Sequence, residues 1–421
     1  SGLSAAVYLS EMGYQVEIIE ASPKLGGRAY SFKLKENDTV IDNGQHILMG
    51  CYSYTLDYID KIKSKDKFHF QDSLNINYLT ADGKMFALSV PEKFYPLNFI
   101  YSFLNFRLLT FKERKEVLNF FFRLNMIQKK NKNDLSVKNL LYQNGQSEST
   151  VKKFWNLVVI SAMNTPIELA SAELFIEMIK IIFFSGKEAS NIVLPKVGLS
   201  EALINPAEEF ILKLGGVISY NERVLNFEID NKRLKTVITS KRKIEDFDCV
   251  VAAIPADQLA KITSEDFKNR LNLPSFKYSP IISVNLWLSE NPLKEKFYGI
   301  IDGNFHWLFN KGNYISLIKS VATNMIDLNK NELIELAKME LKKYFSILTN
   351  EDILQAKVIK ERKATIISDS NSVKKRNKIN NFSKNIFISG DWTDTGLPGT
   401  IESAIKSGKK VSDMILSQSK K

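Results

Sequence analysis

The sequence predicts an α/β fold: a Rossmann-like dinucleotide-binding domain assembled from discontinuous segments, joined to an α+β domain that contains an antiparallel sheet. Three observations lead there. Residues 3–12 read as a helix with small residues on one face, Gly13 stands where a C-terminal glycine cap belongs, and residues 15–20 are a short β-branched run. Helix, tight glycine and strand make the second half of a βαβ unit whose first strand and first two glycines lie outside this sequence. At the other end, residues 385–389 form an apolar strand followed by a glycine-rich loop and a terminal helix from Thr400. Two long stretches of different character separate these signals, too large to be loop elaborations.

Taken in order, residues 22–28 form a loop carrying Pro23, Gly26 and Gly27. Residues 39–42 make a strand that runs into Gly44, and residues 54–63 a helix. From 68 to 184 the pattern reads as long amphipathic helices rich in Phe, Tyr and Leu. Residues 198–210 give a loop and helix. Residues 217–220, 224–230 and 234–239 read as a β-meander turning at Asp230-Asn231-Lys232. Residues 248–254 form a strand halted by Pro255, whereas 281–288, 306–309 and 314–318 belong to a different sheet. The nucleotide domain is thus expected over 1–67, 186–262 and 375–421, and the substrate domain over 68–185 and 263–374.

Composition narrows the function classes. The 421 residues include 44% hydrophobic and 25% charged side chains, which excludes a disordered, collagenous or coiled-coil chain. Lys and Arg exceed Asp and Glu, 58 against 47, for a net charge of +11. That excess reads either as solvated lysines or as attraction to an anionic membrane. Without a basic–aromatic motif or helix-turn-helix pattern, nucleic acid is not an expected partner. Cys51, Cys249 and three histidines are too few for a disulfide framework or a metal centre, so no metal is expected and the setting reads as cytoplasmic. No apolar run reaches the roughly 18 residues of a spanning helix.

The chemistry-bearing residues cluster at the two ends. In a dinucleotide-binding unit the third glycine lets the helix approach the sheet, and an acidic residue about 20 positions on accepts from ribose hydroxyls; Gly2 and Glu20 stand at those places. Gly27 and Arg28 follow Glu20-Ala21-Ser22-Pro23, offering close backbone approach and a guanidinium to a phosphate. Near the C-terminus, Gly390-Asp391 delivers a carboxylate able to accept from a ribityl hydroxyl. The loop from Gly396 to Gly399 then opens a helix whose positive end, at Thr400 and Ile401, suits the negative charge of a reduced flavin. This favours a flavin over a nicotinamide.

Glu20-Ala-Ser-Pro-x-x-Gly-Gly-Arg28, Val250-Val-Ala-Ala-Ile-Pro255 and Ser389-Gly-Asp391 together resemble the flavin oxidoreductase superfamily of amine oxidases, protoporphyrinogen oxidases and phytoene desaturases. Asp42-Asn-Gly-Gln-His46, Gly198-Leu-Ser-Glu-Ala202 and Gly390-Asp-Trp-Thr-Asp-Thr-Gly-Leu-Pro398 are similar to the hydroxysqualene dehydroxylases, or squalene-associated FAD-dependent desaturases, within it. The resemblance implies FAD contacts at Gly2, Glu20, Gly27, Arg28, Gly44, Val224, Gly390, Asp391, Thr400 and Ile401, with Val224 acting through its backbone. It implies a long isoprenoid substrate, hydroxysqualene, whose allylic hydroxyl is replaced by hydrogen from reduced FAD to give squalene in hopanoid biosynthesis.

Hydroxide is a poor leaving group, so a positioned acid is expected, with Asp42, His46 and Asp394 as candidates. The bland alternatives are that His46 steadies its loop and that Asp394 braces the flavin loop. Residues 94–127, aromatic and basic, suit a helix pair lying peripherally in a membrane interface or ordinary core helices. Residues 154–159 and 175–184 are candidates for a tunnel lining. Competing activities of the same fold are carotenoid-type desaturation and amine oxidation; the reading outside this class is a flavin-free membrane-associated scaffold. The central expectation is that Arg28 and Asp391 close around one molecule.

Overall fold

A computed structural model of the protein describes residues 1–36, 38–93, 95–124, 126–127, 134–230, 232–345, 348–349, 351–379 and 384–419. Its opening helix, Gly2–Glu11, buries Ser4, Ala5, Ala6 and Val7. Those small side chains let it lie directly against the terminal helix, Ile401–Ser419, where Ser4 Oγ donates to the Ile405 carbonyl at 2.8 Å. The opening helix stops at Gly13, whose φ of +86° is the left-handed conformation a glycine adopts without strain.

Two parallel strand pairs flank this helix. Glu17–Ile19 pairs with Val217–Ser219, and Val250–Ala252 pairs with Ile386–Ile388. All three residues of Ile386–Ile388 are buried, as expected of a parallel strand covered on both faces. The expected meander therefore begins one strand late. Residues 217–220 do not join it, because the helix Asn205–Lys213 ends at Gly215-Gly216 and the chain turns back beneath it. A Cβ on Gly216 would stand 2.5 Å from Ile211 Cγ2, so this close crossover needs glycine. The antiparallel meander comprises Val224–Asp230, Arg233–Thr239 and Lys243–Ile244. Of its turn, Asn231 lies outside the described residues, and Lys232 adopts a φ of +65°.

A larger sheet of seven strands runs in the order Ile353–Ile366, Tyr278–Leu288, Ile315–Lys319, Trp307–Asn310, Phe297–Ile301, Leu74–Thr80, Met85–Val90. It is antiparallel except between Phe297–Ile301 and Leu74–Thr80. The reading of 68–184 as helices throughout is thus corrected: Phe68–Phe70, Leu74–Thr80 and Met85–Val90 are strands. The overlooked signal is Asp82-Gly83 between two alternating runs, a hairpin turn in which Gly83 takes φ +75°. Helices follow from Asn98–Asn105 through Phe111–Arg123, Val137–Gln143 and Asn156–Met163 to Ala172–Phe184.

Each face of the large sheet has its own core. Val284, Leu286 and Leu317 pack on Leu333, Ala337 and Leu341 of the helix Lys330–Tyr344. On the opposite face, Tyr78, Phe309 and Ile318 meet the helical layer through Phe103, Phe154 and Phe175. A small sheet, Leu48–Met49 and Phe68–Phe70 on either side of Ile192–Pro195, links the helical layer to the nucleotide-side strands. The space between the parallel strand pairs, the large sheet and the helical layer is where the site forms.

Candidate functional site

One continuous cavity of about 2450 Å³ runs from between the parallel strand pairs, past the glycine-rich loops, to an apolar end under the helical layer. Gly2, Glu20, Gly27 and Arg28 line it from the N-terminal segment, and Gly390, Asp391, Thr400 and Ile401 from the C-terminal one. Val224, at the start of its strand, and Gly44 line it too. The fold brings the two ends of the chain into contact: Arg28 Nη2 donates to Asp391 Oδ1 at 2.6 Å, and Nη1 to the Ala364 carbonyl at 2.7 Å. Asp391 holds the Arg28 guanidinium above its ordinary pKa, outweighing the cost of burial. Glu20 follows its strand with Oε1 accepting from the Ser22 N–H at 2.8 Å. A Cβ on Gly399 would stand 3.0 Å from Asp391 Oδ2, so the loop passes close over the carboxylate.

Two residues the sequence reading did not single out hold this end in shape. Arg376, buried, donates from Nη1 to the Leu397 carbonyl at 2.7 Å and from Nη2 to the Asp391 carbonyl at 3.1 Å, clamping the C-terminal loop. Glu402 accepts from the Tyr54 and Thr55 N–H groups at 3.1 and 2.8 Å and from Thr55 Oγ1 at 2.7 Å. Its carboxylate thereby caps the N-terminus of the helix Ser53–Lys61, which has no capping side chain of its own. An acidic residue in the first turn of the last helix was the available signal for Glu402; nothing local marked Arg376.

The three candidate acids fare differently. His46 lines the cavity, with Nδ1 2.8 Å from the Gly44 carbonyl. Burial pushes its pKa below the ordinary value, overriding the nearby Asp42 carboxylate, so the ring is neutral and does not store a proton. The carbonyl contact places the hydrogen on Nδ1 and leaves Nε2 as an acceptor. Asp42 does not line the cavity; it accepts from Ser31 Oγ at 2.7 Å and the Leu199 N–H at 2.9 Å, with Lys311 Nζ 3.7 Å away. Asp394 is exposed on the far side of the loop, where Oδ1 accepts from the Gly396 N–H at 3.3 Å. A short carboxylate two residues before a glycine closes a tight turn on itself, which is why Asp394 faces away from the cavity.

The other end of the cavity is apolar. Phe154, Leu157 and Val158 line it from one helical segment, and Met178, Ile179 and Ile182 from another. Trp155 and Phe175, in the same segments, stand behind that wall as core. Trp307, Phe309 and Ile318 close it from the large sheet.

The model of the flavin containing amine oxidoreductase family matches residues 1–416. The chain belongs to that family. Among relatives of this flavin amine oxidoreductase, a hydroxysqualene dehydroxylase of Zymomonas mobilis is 25% identical across 100% of this chain and 97% of its own length. A 15-cis-phytoene desaturase of Glycine max is 23% identical, covering 100% of this chain and 78% of its own. In fold, an oxidoreductase from Methanosarcina mazei superposes with a TM-score of 0.75 at 16% identity, over 98% of this chain and 97% of that one.

As a flavin amine oxidoreductase the protein is an FAD-dependent oxidoreductase, and the nucleotide end fits that cofactor on its own chemistry. Helix N-terminal N–H groups at Thr400 and Ile401, the Arg28 cation and the side-chain-free surface at Gly27 supply donors and access for a diphosphate. Glu20 and Asp391 supply carboxylate acceptors for hydroxyls on either side. Among the described residues no group of three or more His, Cys, Asp and Glu is placed to hold a metal ion.

Proposed function

We propose that this oxidoreductase removes the allylic hydroxyl of a long isoprenoid alcohol, converting hydroxysqualene to squalene for hopanoid formation. The observation that carries the reading is the single cavity joining the acid- and glycine-lined nucleotide end to the apolar wall of Phe154, Leu157 and Ile179. Burying each methylene of an isoprenoid along such a wall contributes about 0.8 kcal/mol. The hydroxysqualene dehydroxylase relative supports the same choice. In this reading residues 1–67, 186–262 and 375–421 form the FAD domain and 68–185 and 263–374 the substrate domain.

Gly2, Glu20, Gly27, Arg28, Gly44, Val224, Gly390, Asp391, Thr400 and Ile401 would hold FAD, which when bound and fully reduced would supply both the hydride that replaces the hydroxyl and the proton with which that hydroxyl leaves as water. His46 acts as a neutral hydrogen-bond acceptor that orients the hydroxyl, while Asp42 and Asp394 brace their loops. Anaerobic incubation of photoreduced holoenzyme with hydroxysqualene, followed by mass spectrometry, tests the reading: squalene is expected, and recovered alcohol alone refutes it. His46→Ala is expected to slow turnover while flavin content stays unchanged. The phytoene desaturase relative supports a runner-up, in which oxidised enzyme dehydrogenates a polyene. Oxidised enzyme with phytoene, under the same analysis, separates the two.

Such a substrate dissolves in bilayers, and the reading places the cavity's apolar end against one. Phe183 lines the cavity and meets Phe99 and Phe121 with ring centroids 4.8 and 4.9 Å apart. On the outer face of those same helices, Leu97, Tyr101, Phe111 and Phe122 are 62–65% exposed beside Lys112, Lys115 and Arg123. Apolar tips ringed by cations suit peripheral contact with an anionic leaflet, on the cytoplasmic side. No helix among the described residues is long and apolar enough to cross a membrane. Phe94 and Asn125, within the stretch expected to form this interface, lie outside the described residues. Flotation with anionic vesicles is expected for the wild type and lost in a Tyr101→Asp, Phe122→Asp variant.

A further inference from the structure

Asn164 ends the helix Asn156–Met163 in the left-handed conformation, at φ +42°, and lines the cavity. Its side-chain amide ties together three other segments that meet there. Oδ1 accepts from the Val321 N–H at 2.8 Å, while Nδ2 donates to the Ser279 carbonyl at 3.3 Å and to Thr365 Oγ1 at 3.0 Å. A backbone N–H on one side and a carbonyl on the other leave the amide one orientation, because a flip would set donor against donor and acceptor against acceptor. Val321 is itself held at φ +51°, which a β-branched residue rarely adopts. Such backbone persists only where its surroundings over-determine it, and it concentrates at functional sites.

This arrangement dictates the polarity of Thr365. Both amide hydrogens of Asn164 are spent, so Thr365 Oγ1 accepts from Asn164 and keeps its own hydrogen to give. Among the described residues that hydrogen has no acceptor, and Thr365, half-buried, lines the cavity. The Val321 N–H, the Asn164 amide and the Thr365 hydroxyl thus form a hydrogen-bonded chain that ends in a donor open to the cavity. Each bond polarises the next and strengthens that last donor.

Thr365 stands at the nucleotide end. The carbonyl of Ala364 accepts from Arg28 Nη1, and Arg28 reaches Asp391 through Nη2. A Cβ on Gly399 would stand 3.7 Å from Thr365 Cβ, so the threonine packs against the last residue before Thr400 and Ile401. Those two open the helix whose positive end suits the negative charge of a reduced flavin. The apolar wall at Leu157 lies about two turns back from Asn164 along the helical segment. A flavin ring has to lie between the groups that hold its diphosphate and the part of the cavity with room for a substrate, and Asn164 and Thr365 stand at that junction.

We propose that Thr365, positioned by Asn164, donates a hydrogen bond to the flavin ring and stabilises the negative charge gathered there on reduction. A donor of this kind binds the reduced form more strongly than the oxidised one and so raises the reduction potential. The inference concerns the cofactor alone and holds whichever substrate the cavity takes.

The test measures the reduction potential of the holoenzyme anaerobically against reference dyes. Thr365→Val removes the hydroxyl and is expected to disfavour reduction about tenfold, a fall of about 30 mV for a two-electron couple. Thr365→Ser keeps the hydroxyl and is expected to hold the wild-type potential. Thr365→Ala removes the same oxygen by truncation and keeps the test available should Thr365→Val lose its flavin. Asn164→Ala releases the hydroxyl and is expected to lower the potential too; a wild-type value there refutes the positioning role. A wild-type potential in the valine or alanine variant overturns the proposal and gives the hydroxyl to water or to the diphosphate. An equal fall in Thr365→Ser overturns it as well, since the methyl group and not the hydrogen bond would then be responsible.

Discussion

Substituting Gly408 by alanine sets two effects of opposite sign against each other. Gly408 sits inside the helix Ile401–Ser419 where it crosses the opening helix. On an unpacked helix the change to alanine stabilises by about 0.8–1.0 kcal/mol. Here a Cβ would stand 2.6 Å from the Ser1 carbonyl oxygen, 2.7 Å from the Ala5 nitrogen and 2.8 Å from Ser4 Cβ. Two of those atoms are backbone and cannot swing aside, so the helices must separate. Overpacking of this kind costs about 1–3 kcal/mol, and the propensity gain offsets only part of it. The separation also displaces Thr400 and Ile401, at the end of the helix that faces the cofactor. Gly408→Ala is therefore expected to lower the urea midpoint of the holoenzyme and to speed loss of flavin on dialysis. A raised midpoint with normal flavin retention would show that the crossing is loose and that the argument from close approach is wrong.

Two further outcomes follow from the same structure. Arg28→Lys keeps the charge but cannot reach both Asp391 and the Ala364 carbonyl with a planar fork, so flavin content per protein is expected to fall sharply; full retention measured by visible absorbance would refute a positioning role for Arg28. His306 is pushed down by burial to about 3, with Lys319 adding to the effect. Because the unfolded chain takes up that proton first, near the ordinary value of about 6.5, stability is complete above that pH and declines as the pH falls toward 3, by at most about 5 kcal/mol. His306→Gln is expected to flatten this acid limb in urea titrations between pH 7 and 4, and an unchanged slope would place the acid sensitivity elsewhere.

Legibility of the fold and site tracked the range of the interactions involved. The opening helix, its glycine stop and the strand after it are local patterns, and the structure places them within a residue or two of expectation. The strand at 217–219 looked like the first limb of a meander because its β-branched residues fit any strand; its actual partner is Glu17–Ile19, two hundred residues away. Likewise Leu74–Thr80 was masked by aromatic-rich helices that follow it. His46, named from the sequence as a candidate acid, lines the cavity, but its neutrality depends on burial that no spacing reveals.

By itself, the sequence determined which backbone segments turn, extend or coil at the two ends, and which glycines, acids and arginine stand there, since those features depend on neighbours along the chain. Only the tertiary structure decided that Arg28 meets Asp391, that Asp394 faces solvent, and that Val217–Ser219 pairs with Glu17–Ile19 rather than joining the meander. Those outcomes depend on cross-strand register and helix crossing distances. They set each side chain's partners and exposure to water, and through these the charge and hydrogen bonds it keeps.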